Sequence, residues 1–581
     1  MDNRVVKKVQ LRDAEMDVIY RKCNTPVPLD AEGDRSEGGP GMNAMGMGIC
    51  PPFRQRVYEC APGILCEQDI PVKMRDGVTI YCDIYRPKDQ TNIPVIISWS
   101  FYGKRPGEGM SEWQIMGVSP GTVSKHTKFE SPDPEYWCYN GYAIANVDPR
   151  GIGYSEGDVS FFGYQDALDG YDFIEWVAKQ WWCNGKVGMG GNSAVAMTQW
   201  RIAATCPPSL ACIAPWEGTS DIYRESLFEG GIPALSFNEF IIGSITGPNY
   251  VDDPVAMGQQ SPLMSPYWED KIPEFKNIRI PVYCTACWNH FHLRGAFEGF
   301  RKIKSTKKWM RAHREFEWPD GYHLQHLDEL KMFFDRYLKG IRNCWGSTPR
   351  VRLEVEDALE FNYDDHREEK QFPIKRTEYR KLYLDARDNT CSYDPITVES
   401  AYSYDCNEGI ANFDFKFEED TELTGYMKLR LWVEADGHDD MDMFVNIQKL
   451  STSGEWLPVT VLGEPHPGTW GKMRVSHRAL DEKKSKHFQP VQSHLKEEKL
   501  SKGEIVPVDI EIVPSSRFWH KGQSLRIQIA GRYIREGWFE PLTWDTDNHG
   551  NHIIHTGGQY DSYLQIPVIP PKFKDGDIII R

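Results

Sequence analysis

The stretch Val187-Gly188-Met189-Gly190-Gly191-Asn192-Ser193-Ala194-Val195-Ala196 decides the fold. Apolar residues and glycines lead into Gly-x-Ser, and a helix-forming run follows at once. This order predicts a buried strand, a tight turn and a helix, the nucleophile-elbow arrangement. The turn leaves no room for bulk beside the serine, and Gly191 two before it and Ala196 three after it meet that demand. Such a turn holds the Ser193 hydroxyl above a sheet edge and aims the next backbone N–H, that of Ala194, at a developing oxyanion. Val195 stands where the last glycine of Gly-x-Ser-x-Gly would be.

Outward from the elbow, short apolar runs at 93–99, 142–147, 186–189, 210–214, 281–286 and 308–312 predict strands. Between the second and third, Ala167, Tyr171, Ile174, Ala178 and Trp181 fall on one face of a 3.6-residue repeat. A further helix starts near Leu327, with Leu330, Phe334 and Tyr337 on one side. Buried strands alternating with helices predict an α/β fold with a mostly parallel sheet covered on both faces. Residues 217–275 break that rhythm with Gly and Pro and with the aromatics Tyr223, Phe228, Phe237 and Phe240, and predict an inserted helical cap. From about 350 the period becomes two. Met427, Leu429, Leu431 and Val433 alternate with Lys428, Arg430 and Trp432, and the runs at 508–512, 525–529 and 564–568 do the same. These predict an antiparallel β-sandwich. The expected organisation is an N-terminal arm over 1–70, a core over 71–216 and 276–345, the cap over 217–275 and the sandwich over 346–581. The arm is expected to be partly flexible, because the Gly-, Met- and Pro-rich 31–52 suits no regular element.

Apolar residues make up 40% of the 581, enough for packed cores and too many for a disordered chain. The net charge of −17 would be repelled by phosphate backbones, so no nucleic-acid partner is expected. No run of about 18 apolar residues exists to span a membrane. The start, Met1-Asp2-Asn3-Arg4, leads into charged residues, so no signal peptide is expected. Fourteen cysteines scattered over a long chain read as reduced thiols in a cytoplasmic setting.

A second oxyanion donor is expected from the loop after an earlier strand, where Tyr102 offers a hydroxyl or is a wall aromatic. The base for Ser193 is expected after a later strand. His290, His292, His313, His323 and His326 are the candidates; the last two sit at a helix start and read as surface residues. His313 is placed where a hydrolase histidine belongs. The acid is open among Glu298, Glu315, Glu317 and Asp320. Cys284-x2-Cys287 followed by His290 and His292 has a zinc-like spacing. On a strand, however, the two cysteines face opposite ways, so no metal and no cofactor is expected.

Met74-Arg75-Asp76-Gly77-Val78 with Tyr85-Arg86-Pro87, Tyr102-Gly103-Lys104, Asp148-Pro149-Arg150-Gly151 through Ser155-Glu156-Gly157, Trp182-Cys183-Asn184-Gly185 and Asp440-Met441-Asp442 are collectively specific. They resemble the CocE/NonD family of α/β-hydrolases, the cocaine-esterase-like and X-prolyl dipeptidyl-peptidase-like enzymes, and most of all its fungal-type subgroup. The resemblance implies an α/β-hydrolase core, a helical cap and a C-terminal jelly-roll. It also implies Ser193 as nucleophile and Tyr102 as oxyanion donor beside Ala194. Two segments depart from the family. Its acid segment Gly-Trp-Tyr-Asp reads Cys287-Trp288-Asn289-His290, which puts His290 at the acid's place, and His313 comes a few residues early for the base. The expectation is therefore Ser193 with His313, and Glu317 or Asp320 as a relocated acid. Asn289, His290, His292 and Trp216 are assigned to substrate binding or orientation. The expected function is a serine hydrolase cleaving an ester, lactone or amide of a hydrophobic small molecule. The alternatives are an acyltransferase, cyclase or C–C bond-cleaving enzyme of specialised metabolism and, third, an inactive binding protein. Assembly into dimers or larger oligomers is a further expectation from the family.

Overall fold

A computed structural model describes residues 3–25, 27–28, 49–50, 53–105, 113–114, 116–534 and 542–572, so the loop expected over 31–52 lies almost wholly outside the described residues. The chain divides into two compact units. One holds residues 1–227, 235–311 and 315–348, the other 228–234, 312–314 and 349–581.

The first unit is built on strands β1 (Arg56–Ala61), β2 (Ile64–Lys73), β3 (Thr79–Pro87), β4 (Ile93–Trp99), β5 (Ala143–Asp148), β6 (Cys183–Asn192), β7 (Leu210–Trp216), β8 (Val282–Cys287) and β9 (Lys308–His313). Pairing runs β1-β2-β3-β5-β4-β6-β7-β8, antiparallel up to β5 and parallel from there on. β9 follows at the edge, where Val282 N–H donates to Lys307 O at 2.9 Å. Strands β4, β5 and β8 are buried along their whole length and β7 at all but Ala211, as expected of a sheet covered on both faces. On β6, Gly188 and Gly190 make room for helix side chains. A Cβ on Gly188 would lie 2.8 Å from Leu338 Cδ1, and one on Gly190 would meet Phe334.

The helices are α1 (Pro134–Tyr139), α2 (Tyr164–Val177), α3 (Ser193–Ala204), α4 (Leu235–Ser244), α5 (Pro254–Gln260), α6 (Pro266–Asp270), α7 (Leu293–Lys302), α8 (Glu317–Gly321) and α9 (Leu324–Phe334). Helix α2 stops before the predicted Trp181. Lys179 and Gln180 bond back three residues, the chain turns, and Trp181 is left 72% exposed beside the Arg86 guanidinium.

The described part of the N-terminal arm carries a hairpin. Arg4–Gln10 and Glu15–Lys22 form an antiparallel hairpin that also pairs with Tyr250–Asp252. Arg4 and Arg21 both reach the fully buried Asp253 at 2.9 Å, and Asp253 in turn caps α5 through Ala256 N–H. Asp270 joins the hairpin turn to α2, accepting from Arg12 N–H at 2.6 Å and Tyr164 N–H at 2.9 Å. Each of these buried carboxylates thus has charged or N–H partners, as a buried polar group requires.

The second unit is a β-sandwich. The long strand Thr421–Asp436 pairs on one side with Val506–Trp519 and on the other with Tyr563–Val568 and Asn551–Thr556. The facing sheet runs Thr469–Arg474, Asp442–Leu450, Ser524–Ala530, Ile410–Lys416. Leu429, Leu431, Val433, Ile510, Ile512, Ile527, Ile529, Leu564 and Ile566 form one core, the inward set that the alternation predicts. The segment 228–234 joins this unit through Gly230, whose carbonyl accepts Arg474 N–H at 2.9 Å.

Candidate active site

Ser193 sits between β6 and α3 with φ +50°, a left-handed conformation that is sterically costly outside glycine and is found where function requires it. Gly191 beside it has φ +127°, and a Cβ there would lie 2.6 Å from Glu130 O and Val195 Cγ1. Gly218 plays the same part on the other side, since its Cβ would stand 2.9 Å from that of Ala196. The small residues seen in the sequence are thus required by close approach.

Tyr102 follows β4. It is buried against Phe101 and Phe129, and its hydroxyl contacts Ser193. Burial pushes its ionisation well above the ordinary phenol range, so it remains an O–H donor. The hydroxyl and the Ala194 N–H both face the carboxyl of Glu130, a residue the sequence reading missed. Glu130 is 2% exposed and itself has φ +58°. Its backbone O accepts Asn192 N–H at 3.0 Å, and its Oε1 accepts the Trp318 indole N–H at 3.1 Å. Burial, then the charge of Glu317, push its ionisation well above the usual carboxylate range.

Glu317 opens α8. Its backbone O accepts Asn192 Nδ2–H at 2.8 Å, which sets α8 against the elbow. Its carboxyl faces His290 Nε2 at 3.1 Å, both groups being buried. Burial and Glu217 push Glu317 well up as well. His290 Nδ1 accepts the His292 N–H at 3.0 Å, so the ring proton is on Nε2, pointing at Glu317. His292 is held neutral by burial and hydrogen-bonds the Glu217 backbone.

The other expected residues divide. Asp320 is taken by Arg311, with bonds of 2.7 and 2.5 Å, and by His326 at 3.1 Å. Trp216 ends β7 and belongs to the core cluster, edge-on to Tyr283 at 5.7 Å. Asn289 is buried just after β8. His313 is buried at the end of β9, in the three-residue stretch that groups with the second unit. Cys284 and Cys287 lie inside β8, and Cys284 Sγ bonds Trp309 O at 3.3 Å, so the zinc-like spacing does not gather as one site. His290, His292 and Glu317 do bring ligand-type atoms within 4.8 Å of one another. The proton on His290 Nε2 makes that cluster a hydrogen-bonded pair with a neighbour rather than a preformed set of metal lone pairs.

A crystal structure of a CocE/NonD family hydrolase from Staphylococcus aureus superposes with a TM-score of 0.83 at 37% identity, covering 87% of this chain and 94% of that one. The chain belongs to the CocE/NonD hydrolase family. Residues 76–247 match the X-Pro dipeptidyl-peptidase (S15 family) domain, and residues 343–565 match the X-Pro dipeptidyl-peptidase C-terminal non-catalytic domain. Among curated CocE/NonD relatives, the cocaine esterase of a Rhodococcus species is 25% identical over 377 residues, which is 54% of this chain and 62% of the esterase. An α-amino acid ester hydrolase shares the fold, with a TM-score of 0.64 at 15% identity over 89% of this chain and 99% of its own. Elbow and sandwich thus belong to one CocE/NonD architecture: an α/β-hydrolase core with a strand-rich C-terminal domain. No helix among the described residues is long and apolar enough to cross a membrane.

Proposed function

We propose that the protein is a serine hydrolase that cleaves an ester, lactone or amide of a hydrophobic small molecule through an acyl-enzyme on Ser193. The observation that carries the proposal is Ser193 at positive φ at the start of α3, directly after the strand β6. Attack by Ser193 Oγ on the carbonyl carbon moves the C=O electron pair onto oxygen, where Tyr102 O–H and Ala194 N–H receive it. Collapse expels the leaving group, and water then releases the acyl group. His313 is the proposed proton acceptor. The His290–Glu317 pair is the rival, favoured by its hydrogen bond and by the Glu317 seat on Asn192. An apolar substrate is supported by the rings around Tyr102, since Phe129 packs on Tyr102, Trp113 and Trp318 at 5.1–5.9 Å. A cytoplasmic setting is supported by the thirteen cysteines among the described residues, all free thiols.

Intact-mass analysis after treatment with a fluorophosphonate tests the proposal. The expected result is a single adduct in the wild type and none in Ser193→Ala. A folded wild type with no adduct overturns it. Comparing His313→Ala with His290→Ala identifies the base, as the variant that lowers the labelling rate by about 10³-fold or more.

A further inference from the structure

We infer that Glu130 is a third oxyanion donor: its protonated carboxyl, held beside the Tyr102 hydroxyl and the Ala194 amide, donates to the oxygen that becomes negative on attack by Ser193. This rests on the serine hydrolase reading and adds a residue to it. The placement is built from several directions. The Glu130 carbonyl accepts the N–H of Asn192, the residue before the nucleophile. Gly191 must lack a side chain because that same carbonyl is 2.6 Å from where a Cβ would be. The backbone of Glu130 is itself held at φ +58°, a strained conformation that fixes the direction of its side chain.

The carboxyl has two unlike oxygens. Oε1 accepts the Trp318 indole N–H at 3.1 Å. Oε2 is buried and makes no hydrogen bond of ordinary geometry among the described residues, although the carboxyl lies in looser polar contact with Tyr102 and Ala194. With Oε1 already an acceptor, the proton of the neutral acid belongs on Oε2. That leaves an O–H donor without a well-formed hydrogen bond among the described residues, beside the donors that would bind a carbonyl oxygen. A buried hydroxyl without a partner is costly, and a substrate oxygen removes the cost. Contacts of this kind are often long before substrate arrives.

The groups facing Glu130 explain why it stays neutral. Glu317 and Trp318 face it from α8, Tyr102 from the loop after β4, Tyr322 from beyond α8, and the Ala194 N–H from the elbow. None is a cation. Lys128, two residues away, faces Asp148, Lys104 and Asp83 instead. Burial and Glu317 therefore act together to favour the acid form. An apolar pocket can keep a carboxylic acid neutral at physiological pH so that it donates to an oxyanion. No bond to Glu130 forms in the step, and it keeps its proton throughout. Above its raised ionisation it becomes an anion that takes up the Tyr102 and Ala194 donors and repels the oxyanion.

The test is the pH profile of kcat and KM for p-nitrophenyl butyrate hydrolysis by the wild type, Glu130→Gln, Glu130→Leu and Glu317→Gln. Active-site concentration is set by fluorophosphonate titration, and melting curves check the fold. Wild-type kcat is expected to fall at alkaline pH. Glu130→Gln keeps a neutral donor, so the alkaline fall should vanish while activity at the optimum stays within about 10-fold. Glu130→Leu should lose about 10²–10³-fold in kcat with little change in KM. The inference is overturned if Glu130→Gln keeps the wild-type alkaline fall, or if only Glu317→Gln removes it. If Glu130→Leu does not fold, the Glu130→Gln profile alone decides. A wild type that takes no fluorophosphonate would instead sink the hydrolase reading itself, a distinct result.

Discussion

At Ser193 the chain accepts two residues of positive φ on either side of the extended Asn192, Gly191 at φ +127° and Ser193 at φ +50°. Gly191→Ala should therefore cost about 2–3 kcal/mol in a denaturant titration and abolish fluorophosphonate labelling, since both the φ and the Glu130 carbonyl oppose a Cβ. A second residue-scale prediction concerns Asp166, which accepts the Trp99 indole N–H at 2.9 Å in a buried site. Burial pushes its ionisation up to about 7. The folded state then holds the proton more tightly than the unfolded chain. Its contribution is full below the unfolded value near 3.9 and is lost as pH rises through about 7. Asp166→Asn should flatten that fall, which would be on the order of 3–4 kcal/mol, and melting curves between pH 4 and 8 would read it. Ser193, Ala194 and Tyr102 were legible in the sequence because an elbow and the loop after a strand are local features. Glu130 was not, because it reaches the elbow only through the fold and no motif marks it. Glu317 was visible as a carboxylate near the expected place, but its pairing with His290 depends on how α8 meets the loop after β8.

Among the elements, the hairpin over residues 4–22 holds by few contacts of high value. Asp253 accepts from Arg4, Arg21 and the first turn of α5, so Asp253→Ala removes a helix cap and leaves two arginines without their shared carboxylate. A loss of about 2–3 kcal/mol is expected, with proteolysis within residues 4–22 appearing before global unfolding. The hairpin left a trace in the sequence. Met16 and Val18 alternate with Glu15 and Asp17, and Val18 and Tyr20 are buried. The run is short, and the Gly- and Met-rich residues after it pulled the reading toward a flexible arm. The core strands were legible to within a few residues, because continuous apolar runs bounded by turns have one stable use in a parallel sheet. Helix α2 was read too long because the 3.6-residue spacing continues past the turn at 178–180 by chance.

On the scale of the molecule, each unit carries its own core. The sandwich needs Ile510 at its centre, fully buried against its neighbours. Ile510→Ala should cost about 2–5 kcal/mol in chemical denaturation, with most of the cost coming from the cavity and lost transfer energy. The alternation that marked this unit in the sequence follows from the strand's own geometry, whereas the short contribution of residues 228–234 belongs to tertiary packing and carries no pattern. The N-terminal hairpin has one more consequence, in time rather than in space. Arg21 and its carboxylate Asp253 are 232 residues apart. A ribosome adding about 5–20 residues per second needs on the order of ten to fifty seconds to make the second after the first. For that interval residues 20–22 lack the strand Tyr250–Asp252 they pair with, and whatever guards the hairpin during synthesis must hold until that segment emerges.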